Sequence, residues 1–581
     1  MSPFVPASAE EQKIVKDLEQ TFSALERIRQ PFEPQIDELF TYIFHGRRKI
    51  SDKDTTKGLK TGIHVYDGTA LGAANLLTDG LTGYTISKSF KWFGYTLPHR
   101  VSFSRTSLLR SSSAGGRRLD SLPEVKQYLE ELEEAMYSAF LSSNLYDMAP
   151  DFVRDAVVPG TVTIDADEDI AGGRVVFTVP HFRECYIAEN YLGMVDTNFR
   201  VRKLTLEQLV QKFGLDQMTS VDQGFMQAYE KNRHDEREVL HARYPRASYD
   251  PKRMDKKNKP WASMWILRNP HRLLEESGTS QQRFVTWRWR KNNDEWYGRS
   301  PAWDAFIDHM TANQAAKSNL LAAHKMVDPP MIGLNTLRGA VRNAPGGWTW
   351  VNAMSERPQP LQEGIQLPFG LDMQDRLDRK IRDHFHVDFF LMLSQAAMQK
   401  IELTATQVLE MSSEKAAVLG PRIGRMETEA LSPIHDLVFD IESRAGRLPM
   451  PPQVLLDYQG KDIEIDYLGP LAQAQRKLFR SQGIQQGLDA IVPLAQVFPE
   501  IRDIINADNT ARDLLLSRGF PQRDLHTEDV VTAIRQTRQE AETQRQGMEQ
   551  AVAVARSMPA AGKEIAPNSL AGMMAGMGGE A

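Results

Sequence analysis

LTATQVLEMSSEKAAVLGPRIGRMETEALSPIHDLVFDIESRAG, residues 403 to 446, is the most informative segment of the chain. Thr404-Ala-Thr-Gln407 has capping-box spacing, in which hydroxyl and amide side chains satisfy the orphan amides of a helix start. Apolar residues recur at Val408, Met411, Leu419, Ile423, Met426, Ala430, Ile434, Leu437, Ile441 and Ala445, close to a 3.6-residue period. Gly446 stands where a glycine ends a helix, and Pro449 follows. One helix over this span would run roughly 60 Å at ~1.5 Å per residue, more than a single compact domain needs. Gly420-Pro421 and Ser432-Pro433 interrupt the pattern. Two readings follow: ordinary core helices joined at prolines, or one long kinked helix spanning the layers of a large assembly.

Outward from that stretch, the composition bounds the rest. The 581-residue chain carries a formal charge of −6 with 25% charged residues, which excludes a polybasic nucleic-acid coat and a disordered acidic chain. A single cysteine, Cys185, excludes an intrachain disulfide framework and a cysteine-rich zinc module. With no long apolar run and no apolar leader in MSPFVPASAEEQK, we expect neither membrane insertion nor export. The fold class expected is α+β, mainly helical.

Ser8–Phe44 reads as helix with a break near Pro31 and Pro34, and Val65–Tyr95 as a small-residue helix leading to a Trp-bearing strand. Ser102–Asp120 reads as an exposed loop and Pro123–Ser142 as an amphipathic helix, with a shorter one over Asp151–Val158. Short β-branched runs follow Gly160, and Glu238–Tyr244, Ser263–Leu267 and Gln282–Arg290 continue the strand character around a short helix at Leu206–Phe213. Lys252, Arg253, Lys256, Lys257 and Lys259 form a basic loop. Ser300 and Pro301 cap a second long helix that Asp328-Pro-Pro330 stops. A third begins at Leu371, charged in its first half and aromatic in its second. A polar helix occupies 526–557 and a low-complexity tail 558–581.

Enzyme chemistry finds little support. The nearest approach to a phosphate loop, Gly80 to Ser89, has Lys88-Ser89 at its end, but Ser87 where a glycine is needed. His384 and His386 are two residues apart and face different ways on a helix, and His309 stands alone. Asp165, Asp167 and Asp169 alternate and could hold a cation, with a solvated loop as the plainer reading. Asp375–Arg379 and Asp378–Arg382 have the spacing of an ion-paired helix face. We expect no enzyme, no cofactor, no catalytic residue and no metal site.

Three segments, in order, resemble the portal (head-to-tail connector) proteins of short-tailed double-stranded DNA bacteriophages. Tyr297-Gly-Arg-Ser-Pro-Ala-Trp-Asp-Ala-Phe306 through Lys325-Met-Val-Asp-Pro-Pro-Met331 is similar to the start and stop of that family's first long helix. Leu403–Glu410, Leu419-Gly-Pro421 and Arg444-Ala-Gly-Arg-Leu-Pro449 resemble its long post-tunnel helix. Tyr66-Asp-Gly-Thr-Ala70 to Trp92 is similar to its N-terminal helix and strand.

The resemblance implies a ring of twelve copies at one capsid vertex. In order it implies a wing over 1–299, a first stem helix over 300–327, a clip over 328–370 and a second stem helix over 371–393. A tunnel loop (394–402), the long helix (403–446) kinked at Gly420 and Pro421, and wing return and crown (447–525) follow. It implies a virion subunit that also passes through the host cytoplasm during assembly. Its partners would be itself as a ring, double-stranded DNA passing through, the terminase large subunit, tail adaptor proteins, and major capsid and scaffolding proteins. Gln395, Gln399 and Lys400 would be DNA-channel residues, and so would Arg376, Arg379, Lys380 and Arg382, for which an ion-paired face is the alternative. Trp348 and Trp350 would sit on the clip for partner docking. The rival readings are a tail or internal virion protein without a ring, and a packaging ATPase or nuclease.

Overall fold

Proline cuts the N-terminal helical run where expected. The structure is a computed structural model of the chain; it describes residues 6–52, 58, 61–89, 91–97, 122–169, 172–250, 252–253, 255–327, 331–332, 335, 353, 359–360, 367–388, 420–456, 464–467, 508, 510–512, 515 and 528–557. Helix α1 (Ala9–Arg29) starts on Ser8, whose hydroxyl accepts the amide of Glu11 at 3.1 Å. A 3-10 turn at Gln30–Phe32 carries Pro31, and α2 (Glu33–Tyr42) resumes with Pro34 in its first turn. Next come α3 (Thr69–Thr85), β1 (Phe93–Thr96), α4 (Pro123–Ser142) and α5 (Leu145–Val157).

The central strands are β2 (Thr161–Asp169), β3 (Arg174–Thr178), β4 (Cys185–Glu189) and β5 (Val195–Thr205). Helices α6 (Leu206–Phe213), α7 (Leu215–Val221) and α8 (Phe225–Lys231) precede β6 (Glu236–Pro245), β7 (Trp261–Leu267), β8 (Arg272–Thr279) and β9 (Phe284–Arg288). The long α9 (Pro301–Val327), short β10 (Met331–Ile332) and β11 (Gln359–Pro360), and α10 (Leu367–His384) come next. The described elements end with α11 (Ser432–Arg444), β12 (Glu464–Tyr467) and α12 (Glu528–Ser557).

The chain divides into two units, one of Met1–Tyr95, Glu131–Met450 and Glu464–Pro470, the other of Thr96–Glu130, Pro451–Ile463 and Leu471–Ala581. In the first, β4-β5-β6-β7-β8 form an antiparallel meander and β3-β2-β9 a second antiparallel sheet. Period-two alternation gives the meander two apolar faces. Leu240 and Ala242 of β6, with Phe199 and Met264, pack under Val15, Leu18, Phe22 and Leu25 of α1. Val239 and Trp265 look the other way, onto Leu206, Leu209, Met218 and Phe225 of α6 to α8. Arg29, at the end of α1, donates to the carbonyls of Phe182, Arg183 and Cys185 at 3.2, 3.0 and 2.9 Å. Its guanidinium lies 3.6 Å over the Tyr186 ring, a cation–π contact that turns a buried charge into an anchor.

Buried charge also joins the two sheets. Asp165 of β2 accepts from Arg200 of β5 at 2.7 Å and from Arg243 of β6 at 2.8 Å. Asp165 is therefore the centre of an ion-paired seam, and neither a cation ligand nor part of a solvated loop. Asp169 pairs with Arg174 at 3.4 Å, and among the described residues no His, Cys, Asp and Glu group is arranged to hold a metal.

Asp155 on α5 is buried against Arg47, the start of the basic Arg47-Arg48-Lys49 run. Burial pushes its carboxyl up from 3.8 to about 6, although Arg47 pulls the other way. The folded chain then holds a proton that the unfolded chain releases above its own lower pKa. This group's stabilisation is greatest at acid pH and is lost as pH rises through about 6. Relative to Asp155→Asn, the wild-type protein is therefore expected to gain about 1 kcal/mol between pH 7 and pH 5. Paired thermal melts at the two pH values check this; a constant difference would remove Asp155 as the titrating group.

Candidate functional site

The two long helices expected from sequence form an antiparallel pair. Ser300 caps α9: its carbonyl accepts the amides of Trp303 and Asp304 at 3.1 and 3.4 Å, and its hydroxyl accepts that of Trp303 at 3.3 Å. Pro301 fills the first turn. Asn319 donates to Gln374 at 3.1 Å, while Asp308, three turns nearer the start of α9, meets His384 at 3.2 Å and Lys380 at 3.9 Å. Leu377 and Ile381 of α10, with Phe385 just past its end, are spaced by four and form a buried stripe.

α9 changes character along its length. Its first half buries Ala302, Ala305, His309, Ala312 and Asn313, mostly small residues that let it lie close to its neighbours. Beyond Asn313 no residue of α9 is buried, and Leu320, Leu321, Met326 and Val327 are 49%, 53%, 52% and 88% exposed.

His309 and Asn313, one turn apart, clasp the ends of two other helices. The Asn313 Oδ1 accepts the amides of Tyr66 and Asp67 at 2.6 and 3.2 Å, and its Nδ2 donates to the carbonyl of His64 at 3.1 Å. His309 Nε2 donates to the carbonyl of Tyr42, at the end of α2, at 3.1 Å. His309 Nδ1 lies 3.6 Å from Asp67 Oδ2. Asp67 in turn caps α3 by accepting from the Thr69 amide and hydroxyl at 3.1 and 2.8 Å. Burial raises the Asp67 carboxyl, but the neighbouring His309 and the hydrogen bonds from Thr69 outweigh it and hold the group below its ordinary value. Across the joint on α10, burial and the nearby Asp67 charge push Asp378 up. The isolated histidine of the sequence is thus a buried structural one.

Arg376, Arg379, Lys380 and Arg382 are all exposed on α10. Arg376 pairs with Asp372 at 3.0 Å, and Lys380 reaches across to Asp308; the expected Asp375–Arg379 and Asp378–Arg382 pairs do not close to ion-pair distance. α10 begins at Leu367, earlier than Leu371, because a first turn tolerates Pro368. It ends at His384, where His386 takes a left-handed φ of 51°; Val387 and Asp388 are helical again, and the rest of the expected reach to 393 lies outside the described residues. Burial, then Arg422 and His384, push the His386 pKa down. Gln395, Gln399 and Lys400, with the loop over 394–402, lie outside the described residues, as do Trp348 and Trp350; of the segment between the helices, β10 and β11 pair antiparallel.

The segment over 403–446 is described from Gly420 onward. Gly420 and Pro421 are both helical, and residues 403–419, including the capping box, lie outside the described residues. Pro433 does not split the helix. The chain makes a π turn over Glu427–Leu431, with the Ser432 amide bonded to the Glu427 carbonyl, and continues as α11. The wider turn accommodates a proline with no amide to donate. It also aims Glu429 at Arg288 of β9, whose backbone amide and guanidinium donate to it at 3.1 and 2.9 Å. Gly446, φ 68°, closes the helix: Arg447 N–H bonds Glu442 O at 3.1 Å and Gly446 N–H bonds Ser443 O at 3.0 Å, the Schellman pattern.

The phosphate-loop candidate has another structure altogether. Gly80 and Gly83 lie inside α3, and the Ile86 amide bonds Thr82 O at 2.9 Å, so these amides serve the helix and cannot cradle a phosphate.

Sequence reasoning placed Asn313 and His309 on α9 without finding their role. Only Tyr66-Asp67-Gly68-Thr69, an aspartate two residues before a threonine at a helix start, carried a local signal for the clasp. Arg288 and Glu429 are 141 residues apart and gave none.

Residues 15–525 match the family model described as bacteriophage head to tail connecting protein. The chain is 28% identical over 545 residues to the portal protein of Salmonella phage epsilon15, covering 92% of each. It is 27% identical over 492 residues to the probable portal protein of Bordetella phage BPP-1, covering 82% of each. With a match running through both helices of the pair and the segment over 403–446, the chain belongs to the bacteriophage head-to-tail connecting proteins, structural components of the virion that join head and tail.

Proposed function

We propose that copies of this chain, twelve as the family resemblance implies, close into a ring that conducts double-stranded DNA at one capsid vertex and docks terminase and then tail proteins. In this reading the β-rich body is the wing, α9 and α10 are the stem, and the segment joining them is the clip. One observation carries it: the second half of α9 presents Leu320, Leu321, Met326 and Val327 to solvent although the helix is long and continuous. Apolar side chains that find no cover among the described residues of their own chain are covered by a neighbour in this reading, and cyclic symmetry covers every copy alike.

The charge on α10 supports a conduit that lets DNA move. Asp372, Asp375, Asp378 and Asp383 balance Arg376, Arg379, Lys380 and Arg382, so the described helix is formally neutral. Each phosphate neutralised by a cation strengthens binding, and a basic bore would hold the duplex. The loop with Gln395, Gln399 and Lys400 would line the channel, Trp348 and Trp350 would lie on the docking face, and Gly420-Pro421 would bend the long helix away from the tunnel.

Negative-stain microscopy of the purified protein tests the ring, and annular particles are expected. Leu320→Glu with Leu321→Glu removes about 2 kcal/mol of burial per leucine at each interface and places charge there, so rings should give way to single chains. Wild-type protein that yields no annular particle would sink the ring reading. Rings unchanged in the double variant would move the interface elsewhere.

A further inference from the structure

The β6–β7 connection carries a charge pattern that the ring reading does not use. Between Tyr249 and Trp261 stand Lys252, Arg253, Lys256, Lys257 and Lys259 against Asp250 and Asp255, a formal excess of positive charge in a chain of net −6. Both aspartates shape the loop. Asp250 accepts the Lys252 amide at 3.0 Å, and Asp255 accepts from the Asn258 side chain at 2.8 Å, across the 3-10 turn Lys256–Asn258.

The 3-10 turn is also seated firmly on β8. A Cβ placed on Gly278 of β8 would lie 2.6 Å from the Lys256 carbonyl oxygen and 2.7 Å from that of Trp261, so the loop backbone rests directly on the strand. Arg246, at the loop's root, donates to Glu276 at 3.3 Å and to Ser277 O at 3.1 Å. Lys257 meets Glu276 at 3.1 Å with its side chain still 66% exposed. Lys252, Arg253 and Lys256 are exposed, and among the described residues neither they nor Lys259 has an acid at ion-pair distance. Tyr249 stands beside them, half exposed.

We propose that this loop is a binding surface for the phosphate backbone of double-stranded DNA, gripping it without reading sequence. The kinds of cation decide between a nucleic acid and an acidic protein. Protein interfaces favour arginine and deplete lysine, whereas four of these five cations are lysines, hydrated point charges suited to loose phosphate contacts. The seated 3-10 turn holding Lys256 and Lys257 out to solvent loses little freedom on binding. All five belong to one chain, so the surface exists whether or not a ring forms.

The test is affinity for a fluorescent mixed-sequence duplex of about 30 base pairs, measured on the full chain at several salt concentrations. Five phosphate contacts predict a log–log salt slope steeper by about 4 than that of a protein without the loop's charge, at ~0.9 per contact. The quadruple variant Lys252→Ala, Lys256→Ala, Lys257→Ala, Lys259→Ala should flatten the slope by about 3 to 4 and weaken binding at low salt at least ~100-fold. The matching quadruple Lys→Arg variant should keep both, and circular dichroism checks that each variant is folded. No DNA binding by the wild type, or equal slopes for wild type and the alanine variant, overturns the proposal. So does a polyglutamate peptide that binds more tightly than the duplex and loses its binding in the alanine variant, which would make the surface one for acidic protein. Annular particles should persist in the alanine variant, so this test and that of the ring can fail separately.

Discussion

Arg288→Met is expected to cost the folded chain roughly 3–5 kcal/mol, because it removes the shared partner of two partly or fully buried carboxylates. Arg288 is 2% exposed and bridges Glu189 of β4 and Glu429 of the π turn, while donating to the Gly193 carbonyl at 3.1 Å. Methionine fills similar space but leaves Glu189, itself 8% exposed, with Lys291 alone at 2.6 Å. Glu429 would keep the backbone amide of residue 288 and the Arg425 guanidinium, at 3.1 and 3.3 Å, but lose the Arg288 guanidinium. The coupling is testable: Glu429→Gln in the Arg288→Met background should cost less than in the wild type, by 0.5–3 kcal/mol. Calorimetric melts of the four proteins read this out. A melting temperature for Arg288→Met within a degree of wild type would show that the bridge does not hold the long helix to β9.

That bridge also shows where sequence reading succeeds and stops. Elements ending at strong local signals were legible: α1 broken at Pro31, α4 running from Pro123, α6 ending at Gly214, α9 between Ser300-Pro301 and Asp328. β8, RLLEESGT, escaped because it is an edge strand whose pairing with β7 is its main reason to be extended, and its residues have little strand preference. Pro433 suggested a break, and only the structure shows the helix absorbing it by transferring the Ser432 amide to Glu427. Among the candidate site residues, the exposure of the α10 cations followed from their pattern, but their pairing across to α9 did not, since Asp308 lies outside α10's own sequence. Family identity came from the order of three modest motifs, because no catalytic pattern was present to read.

The clasp at Asn313 gives the second large effect. Asn313→Leu keeps approximate volume but unpairs the buried Asp67 amide together with the half-buried Tyr66 amide and His64 carbonyl, at ~1–3 kcal/mol for a group that water cannot reach. A loss of roughly 1–3 kcal/mol is therefore expected. The effect should be local before it is global. The joint fixes where α3 begins relative to α9, and the half of α9 beyond it has no buried residue to hold its direction. From Asn313 to Val327 the helix extends about 21 Å at ~1.5 Å per residue, so a tilt of about ten degrees moves its end by nearly 4 Å. Hydrogen exchange is the decisive measurement: the Tyr66 and Asp67 amides should lose protection while those of β5 and β6 keep theirs. Asn313→Asp retains an acceptor for both amides, so it should preserve their protection better than leucine while placing a second carboxylate near Asp67. If Tyr66 and Asp67 exchange as slowly in Asn313→Leu as in the wild type, the clasp does not set the direction of α9, and α10 packing alone must do so.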